Sequence, residues 1–286
     1  MMSHTILQKR MLSPNVGWFE VTAPQIAKKR QAGQFVMLRI DETGERIPLT
    51  IADADPVKGS IVLICQAVGK TTTQLNALQT GDVIRDIAGP LGQPSHLENF
   101  GTAVCIGGGV GIAVTYPLAK ALKTLGNYVI SILGARNKEL LILEPEMRSV
   151  SDEVRIATDD GSYGVKGLVT DQLQQVIAER PVNLVIAIGP VVMMRAVSNL
   201  TKTLQIKTMV SLNSIMIDGT GMCGGCRVSV GGGTKFVCVD GPEFDAHQVD
   251  FEGLMLRQRM YLDEEKYALN QHHDACKLEE QLAAAQ

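Results

Sequence analysis

The chain has 286 residues, 45% of them apolar and 20% charged, the balance of a soluble globular protein long enough for two domains and a small third. A formal net charge of -3, with no cluster of Lys and Arg, excludes the footprint of a nucleic-acid binder. Met1 to Arg10 lacks the apolar core of a signal peptide, and no apolar run reaches the roughly 18 residues of a membrane span.

From Thr5 to Asp86 short β-type runs alternate with turn residues: Gly17–Val21, Phe35–Ile40, Ile61–Cys65 and Val83–Ile84. Only Thr73–Gln79 carries a helical period, so a small antiparallel barrel is expected. Two features of this part can meet a cofactor. Arg46-Ile-Pro-Leu-Thr50 puts a guanidinium and a hydroxyl on an extended segment, Pro48 disfavouring helix. Gly69-Lys-Thr-Thr-Thr73 opens the helical stretch, where N–H groups and hydroxyls suit a pyrophosphate. It is not a Walker A loop, because the upstream glycine pattern is absent. Taken singly, Arg46 and Thr50 are equally a surface pair.

Gly89-Pro-Leu-Gly92 reads as a turn-rich boundary, after which the pattern changes. Ala103-Val-Cys-Ile runs as a buried strand into Gly107, Gly108, Gly109, Val110 and Gly111, then a helix from Ala113 to Leu125. Strand, glycine turn and helix aim a helix N-terminus at phosphate, although G-G-G-x-G is not the dinucleotide fingerprint. Strands follow at Tyr128–Leu133, Val154–Thr158 and Asn183–Ile188, with helices at Thr170–Ala178 and Val191–Leu200; Glu144, Glu146 and Arg148 read as solvent-facing. Alternating β and α argue a parallel sheet covered by helices. Its ligand-facing loops should be those at the strand ends: Gly107–Gly111, Gly134–Arg136, Asp159–Gly164 and Gly189-Pro190. Asp159 and Asp160 also suit a plain turn.

Lys207–Leu212 is one more strand, and it delivers the chain into Asp218-Gly-Thr-Gly-Met-Cys223-Gly-Gly-Cys226, closed by Cys238. The spacing D-x4-C-x2-C-x11-C is that of plant-type [2Fe-2S] loops, with Asp218 in the first Cys position. Gly219, Gly221, Gly224, Gly225 and Gly231 let N–H groups approach charged sulfurs. A zinc knuckle is the competing reading, because C-x2-C plus a distant Cys also begins structural zinc sites. Val228–Val230, a Gly231–Gly233 turn and Lys235–Val237 should form a hairpin holding Cys238 beside the other donors. Asp240–Asp245 reads as a rigid turn, Leu254–Tyr261 as helical, with Met255, Arg257 and Arg259 free to dock on this chain or a partner. Leu278–Gln286 reads as a polar, frayed end. Of 6 Cys, Cys65 and Cys105 sit in apolar runs as buried thiols and Cys276 lies in the polar tail. No disulfide framework emerges, and the expected compartment is the cytoplasm.

A dinucleotide delivers two electrons together as hydride, whereas a [2Fe-2S] cluster takes one. A flavin on the barrel would divide the pair, which makes barrel, nucleotide domain and cysteine loop a coherent electron wire. Asp218 to Cys226 and Cys238-Val-Asp-Gly-Pro-Glu-Phe244 resemble the ferredoxin-NADP reductase superfamily. The closest resemblance is to the branch holding the electron-transfer subunit of dihydroorotate dehydrogenase B and the small subunit of NADH-dependent ferredoxin:NADP oxidoreductase, also called sulfide dehydrogenase beta subunit. It covers residues 5–265, and Asp218 favours the second of these, the dihydroorotate-linked subunits having Cys there.

The resemblance implies a β plus α/β fold: an FAD-binding β-barrel at 1–98, an NAD(P)-binding α/β domain at 99–206, a [2Fe-2S] subdomain at 207–246 and a tail at 247–286 for partner contact. It implies that Arg46, Pro48, Leu49 and Thr50 meet the flavin, and that Gly69, Thr71 and Thr72 hold its pyrophosphate. Gly107, Gly108, Gly109, Gly111, Arg136, Asp159, Gly189 and Pro190 would frame NAD(H) or NADP(H), and Asp218, Cys223, Cys226 and Cys238 would ligate the cluster. Two departures stand out: Pro48 where many reductases have Tyr, and Ile188 where they have Cys before Gly-Pro. The implied partner is a larger subunit with a second flavin and [4Fe-4S] clusters, with ferredoxin reached indirectly. The alternatives are a dihydroorotate dehydrogenase subunit, a standalone diaphorase, and a non-catalytic interaction protein braced by zinc.

Overall fold

The computed structural model describes residues 4–284, apart from the side chains of 276 and 278–284. The first third of the chain forms seven strands: β1 (His4–Ser13), β2 (Val16–Thr22), β3 (Phe35–Arg39), β4 (Ile47–Asp55), β5 (Ser60–Gln66), β6 (Val83–Ile84) and β7 (Asp86–Leu91). They pair antiparallel in the order β6-β1-β2-β5-β4-β3-β7, a nearly closed barrel around Phe19, Leu38, Ile51 and Leu63. Two helices pack on its strands: α1 (Pro24–Lys29) and α2 (Lys70–Ala77), the second beginning three residues before the expected Thr73. With six residues, α1 is too short to show a period; its one local signal is Pro24 in the first turn.

Gly89–Leu91 is strand, not boundary. β7 ends the sheet order, and there Pro90 forfeits no ladder bond that the fold needs. The crossing to the second domain runs through 93–101, tied by Ser95 N–H to Ala32 O (2.9 Å) and Gln93 N–H to Gly241 O (2.7 Å).

The second sheet contains β8 (Thr102–Gly108), β9 (Tyr128–Ala135), β10 (Glu153–Thr158), β11 (Val165–Lys166), β12 (Leu184–Ile188) and β13 (Thr208–Ser211). Its covering helices are α3 (Gly111–Thr124), α4 (Glu144–Ser149), α5 (Val169–Glu179) and α6 (Val191–Thr203). Val104, Ile106, Ile130, Ile132 and Val185 are fully buried, as strands covered on both faces require. Glu144 and Glu146 are only partly exposed, since Glu144 accepts from Tyr163 Oη (3.2 Å) and Glu146 pairs with Arg10 of the barrel (3.0 Å).

Beyond β13 come the antiparallel pair β14 (Arg227–Val230) and β15 (Gly233–Phe236), then α7 (Val237–Asp240) and β16 (Glu243–Asp245). The sheet order β11-β10-β9-β8-β12-β13-β16 is parallel except at its last pair. The expected boundary at 206/207 therefore falls within a sheet: β13 and β16 belong to it, and the cysteine loop is inserted between them. Part of the expected turn at Asp240–Asp245 is this edge strand, because the chain must return along β13.

α8 (Phe251–Gln258) buries Phe251 and Leu254, and α9 (Leu262–Ala284) runs on beside α2. The stretch expected to fray is helical to Ala284; Cys276 and the polar side chains after it lie outside the described residues. No helix among the described residues is long and apolar enough to cross a membrane.

Candidate functional site

β8 sits at the switch of the sheet, since the chain goes outward through β9, β10 and β11 and returns to its other side at β12. Ligands of such sheets lie outside the strand C-termini at that point. There the structure opens a cleft of ≈ 1230 Å³ between sheet and barrel. Pro48, Leu49, Thr50 and Thr72 line its barrel side, and Gly108, Gly109, Gly111, Arg136, Asp159, Gly189 and Pro190 its sheet side.

The glycines there are dictated by close approach. A Cβ on Gly111 would stand 2.3 Å from Ile188 O, which locks the β8 turn against Gly189-Pro190. Gly109, at φ +57, has open space before it. α3 begins there without a side-chain cap or an acidic residue in its first turn, and α2 and α6 share both features. Uncapped helix starts of this kind suit phosphate oxygens.

Four expected residues sit elsewhere. Gly107 is the buried penultimate residue of β8, against Ile112. Thr71 is 4% exposed and donates to Glu45 Oε2 at 2.7 Å, so its hydroxyl faces away from the cleft. Gly69 is the N-cap of α2, and Arg46 is exposed just ahead of β4; neither lines the cleft. Thr72 shapes the loop: its Oγ1 accepts from Gly69 N–H (2.9 Å) and Val68 N–H (3.0 Å).

Sequence reasoning missed Phe35, Pro242 and Ser211–Ser214, which also line the cleft. Ser211 ends a parallel strand, and the strand-end rule that found Gly108 and Gly189 applies equally to it.

The cysteine loop packs on the barrel. A Cβ on Gly219 (φ +75) would stand 2.6 Å from Met37 Cγ and 3.0 Å from Leu91 Cδ1. Met37 pairs in register with Pro48, on the strand that lines the cleft. Arg257 Nη2 donates to Gly225 O at 3.0 Å, so the expected docking residue fastens the loop from α8. Met255 packs on the core beneath it.

Within the loop, Cys226 and Cys238 are buried with their Sγ atoms 3.2 Å apart, whereas Cys223 is exposed. Cys223 Sγ and Cys226 Sγ accept N–H groups from Gly225 (3.4 Å) and Cys238 (3.5 Å), the surroundings that thiolate ligands need. Burial and the neighbouring Cys226 push the Cys238 thiol up to about 12. Asp218 is turned inward, Oδ1 accepting from Thr220 N–H and Oδ2 from Cys223 N–H, each at 2.8 Å. The Thr220 bond first, then the Cys223 bond, hold its carboxyl below the ordinary value. The expected convergence of four donors is therefore incomplete: among the described residues no group of three or more such side chains is gathered as for a metal ion. The donor chemistry fits a thiolate-held centre all the same, with one thiol pair already in place.

A reductase-type barrel and parallel sheet sharing one cleft, with a cysteine loop packed on the barrel, define an electron-transfer oxidoreductase of the flavin and iron-sulfur class. Residues 213–250 match the iron-sulfur cluster binding domain of dihydroorotate dehydrogenase B, which decides against the zinc knuckle. The dihydroorotate dehydrogenase B (NAD(+)) electron transfer subunit homolog of Thermotoga maritima is 46% identical over 91% of this chain and 92% of its own length. The electron transfer subunit of Geobacillus thermodenitrificans is 34% identical over 86% and 96%. A chain of an NADH-dependent reduced ferredoxin-NADP oxidoreductase structure, described for flavin-based electron bifurcation, superposes with a TM-score of 0.90 at 44% identity, covering 95% of this chain and 98% of that one. The chain belongs to the family of dihydroorotate dehydrogenase B electron-transfer subunits and their homologues.

Proposed function

We propose that the chain carries electrons between NAD(P)H and a [2Fe-2S] cluster through FAD, toward a larger flavin and [4Fe-4S] subunit of the ferredoxin:NADP oxidoreductase type. The observation that carries this reading is the placement of Gly219 on Met37, which sets the cysteine loop one strand from Pro48, Leu49 and Thr50. Bound there, FAD would accept a hydride pair and release electrons singly.

The chain's own residues do the positioning. Leu49 and Thr50 offer an apolar face and a hydroxyl to the ring, and Arg46 lies just ahead of them. Gly69 and Thr72 shape the α2 start for pyrophosphate, while Thr71 supports the loop through Glu45. Gly108 to Gly111 and Gly189-Pro190 leave room for the nicotinamide nucleotide, Gly107 backs their turn against Ile112, and Arg136 and Asp159 stand at its adenosine end. Cys223, Cys226 and Cys238 would ligate the cluster, and Asp218 would exchange its two N–H bonds for iron. We divide the chain into a barrel at 1–98, a nucleotide domain from 99 that includes β13 and β16, the inserted cluster loop, and the tail from 247.

Ile217, Met222 and Val239 are exposed around the loop, Met222 to 89%, and support a partner at the cluster. The names of the Thermotoga and Geobacillus relatives favour a second reading, a dihydroorotate dehydrogenase partner. Both readings place the chain in the cytoplasm. Co-purification from the native cell separates them, and NADH-dependent reduction of an artificial acceptor by the flavin- and iron-loaded chain tests what they share. An inactive loaded chain refutes both.

A further inference from the structure

Ser214 stands between β13 and the cysteine loop and lines the cleft. It is 8% exposed, and its Oγ is sealed from solvent with no hydrogen-bond partner among the described residues. Buried hydroxyls left in this state are uncommon and destabilising, so the missing partner needs an explanation. The side chains of Asn76 and Arg180 also hold such an atom, but neither residue lines the cleft.

The surroundings fix which end of the cleft Ser214 serves. Leu212 N–H donates to Pro242 O at 2.9 Å. A Cβ on Gly92 would meet Phe35 Cε1 at 2.8 Å and Pro242 Cδ at 3.0 Å, so Pro242 and Phe35 are neighbours across the domain joint. Phe35 in turn pairs in register with Thr50. Arg136 follows β9, three strands from β13 and thus about 14 Å across the sheet. Ser214 therefore belongs to the barrel end, opposite Thr50, rather than to the end that takes adenosine.

We infer that Ser214 is a flavin-binding residue of the sheet side: its hydroxyl turns into the cleft and hydrogen-bonds the polar edge of the isoalloxazine ring. The movement this asks of Ser214 is a change among the staggered χ1 wells of a short side chain. The inference rests on the reading that the cleft holds FAD. It gives the ring a polar contact from each domain, one of them four residues before Asp218.

Full-length wild type, Ser214→Ala and Ser214→Thr, each titrated with FAD, test it. In Ser214→Ala the FAD-free melting temperature should match or exceed that of wild type, since no bond is lost. Its FAD affinity should fall about fivefold, with a shifted visible band of the bound flavin, and Ser214→Thr should restore most of both. Wild-type affinity and spectrum in Ser214→Ala overturn the inference and leave the FAD reading standing. An FAD-free melting temperature lowered in step with affinity also overturns it, by showing a structural role. A wild-type chain that binds no FAD overturns both.

Discussion

At the scale of single residues, chemistry that depends on short spacing was open to reading, and chemistry that depends on direction was not. Asp218, Cys223 and Cys226 lie within nine residues, so their shared loop is a local property of the chain. Thr71 is as close to Thr72 as a residue can be, yet helix geometry turns it to Glu45, 26 residues earlier in the chain. Gly219 was legible as a glycine but not as a contact, because Met37 and Leu91 approach it from another domain. Gly219→Ala combines a left-handed φ with overlap at Met37, and should cost about 1–3 kcal/mol in urea unfolding. Cys226→Ala should abolish iron binding, measured as iron per chain. Asp218→Cys should keep the cluster and move its optical bands; unchanged bands would count against Asp218 as a ligand. The thiols differ in the same physical terms. Burial pushes Cys65 and Cys105 up to about 12, whereas Cys223 is exposed, so alkylation of the iron-free chain should mark Cys223 well before those two.

At the scale of elements, apolar runs located the buried strands β8, β9 and β12, whose burial on both faces leaves a continuous signal. β16 escaped notice because three residues carry no period; only its pairing with β13 makes it a strand. α1 escaped for the same reason. The joints between elements are polar and pH-sensitive. Asp152 receives Val129 N–H at 2.9 Å and pairs with Lys123 of α3, bonds that outweigh burial and lower its pKa. A depressed carboxyl stabilises the fold above its ordinary value of 3.8 and loses that contribution as pH falls through the folded value. Asp152→Asn should therefore lower the melting temperature at pH 7, and the gap should close toward pH 3 (approximate endpoints for a carboxylate).

At the scale of the whole molecule, the two domains are bound by more than the linker. Phe35 and Met37 of the barrel share a core with Cys226, Cys238 and Phe244, which makes the cysteine loop the wedge between the halves. Ser95 of the linker donates to Glu243 of β16 at 2.6 Å, and burial raises the Glu243 pKa despite that bond. The sign is opposite to that of Asp152. The stabilising contribution is complete below the ordinary carboxyl value of 4.5 and is lost as pH rises through the raised one. Glu243→Gln should thus stabilise the chain more at pH 8 than at pH 4 (round values on either side of that range), as thermal melts would show. None of this joint was legible in sequence, since Ser95, Glu243, Met37 and Gly219 come together only once barrel and sheet are docked.

The most direct test of the account follows the electrons themselves. The full-length chain, loaded with FAD, iron and sulfide without oxygen, is titrated with NADH while flavin absorbance and the low-temperature EPR of the cluster are recorded together. The account predicts that the flavin bleaches and that the signal of a reduced [2Fe-2S] centre grows with it. Bleaching with a cluster that stays oxidised, although dithionite reduces it, would contradict a path from the cleft to the cysteine loop.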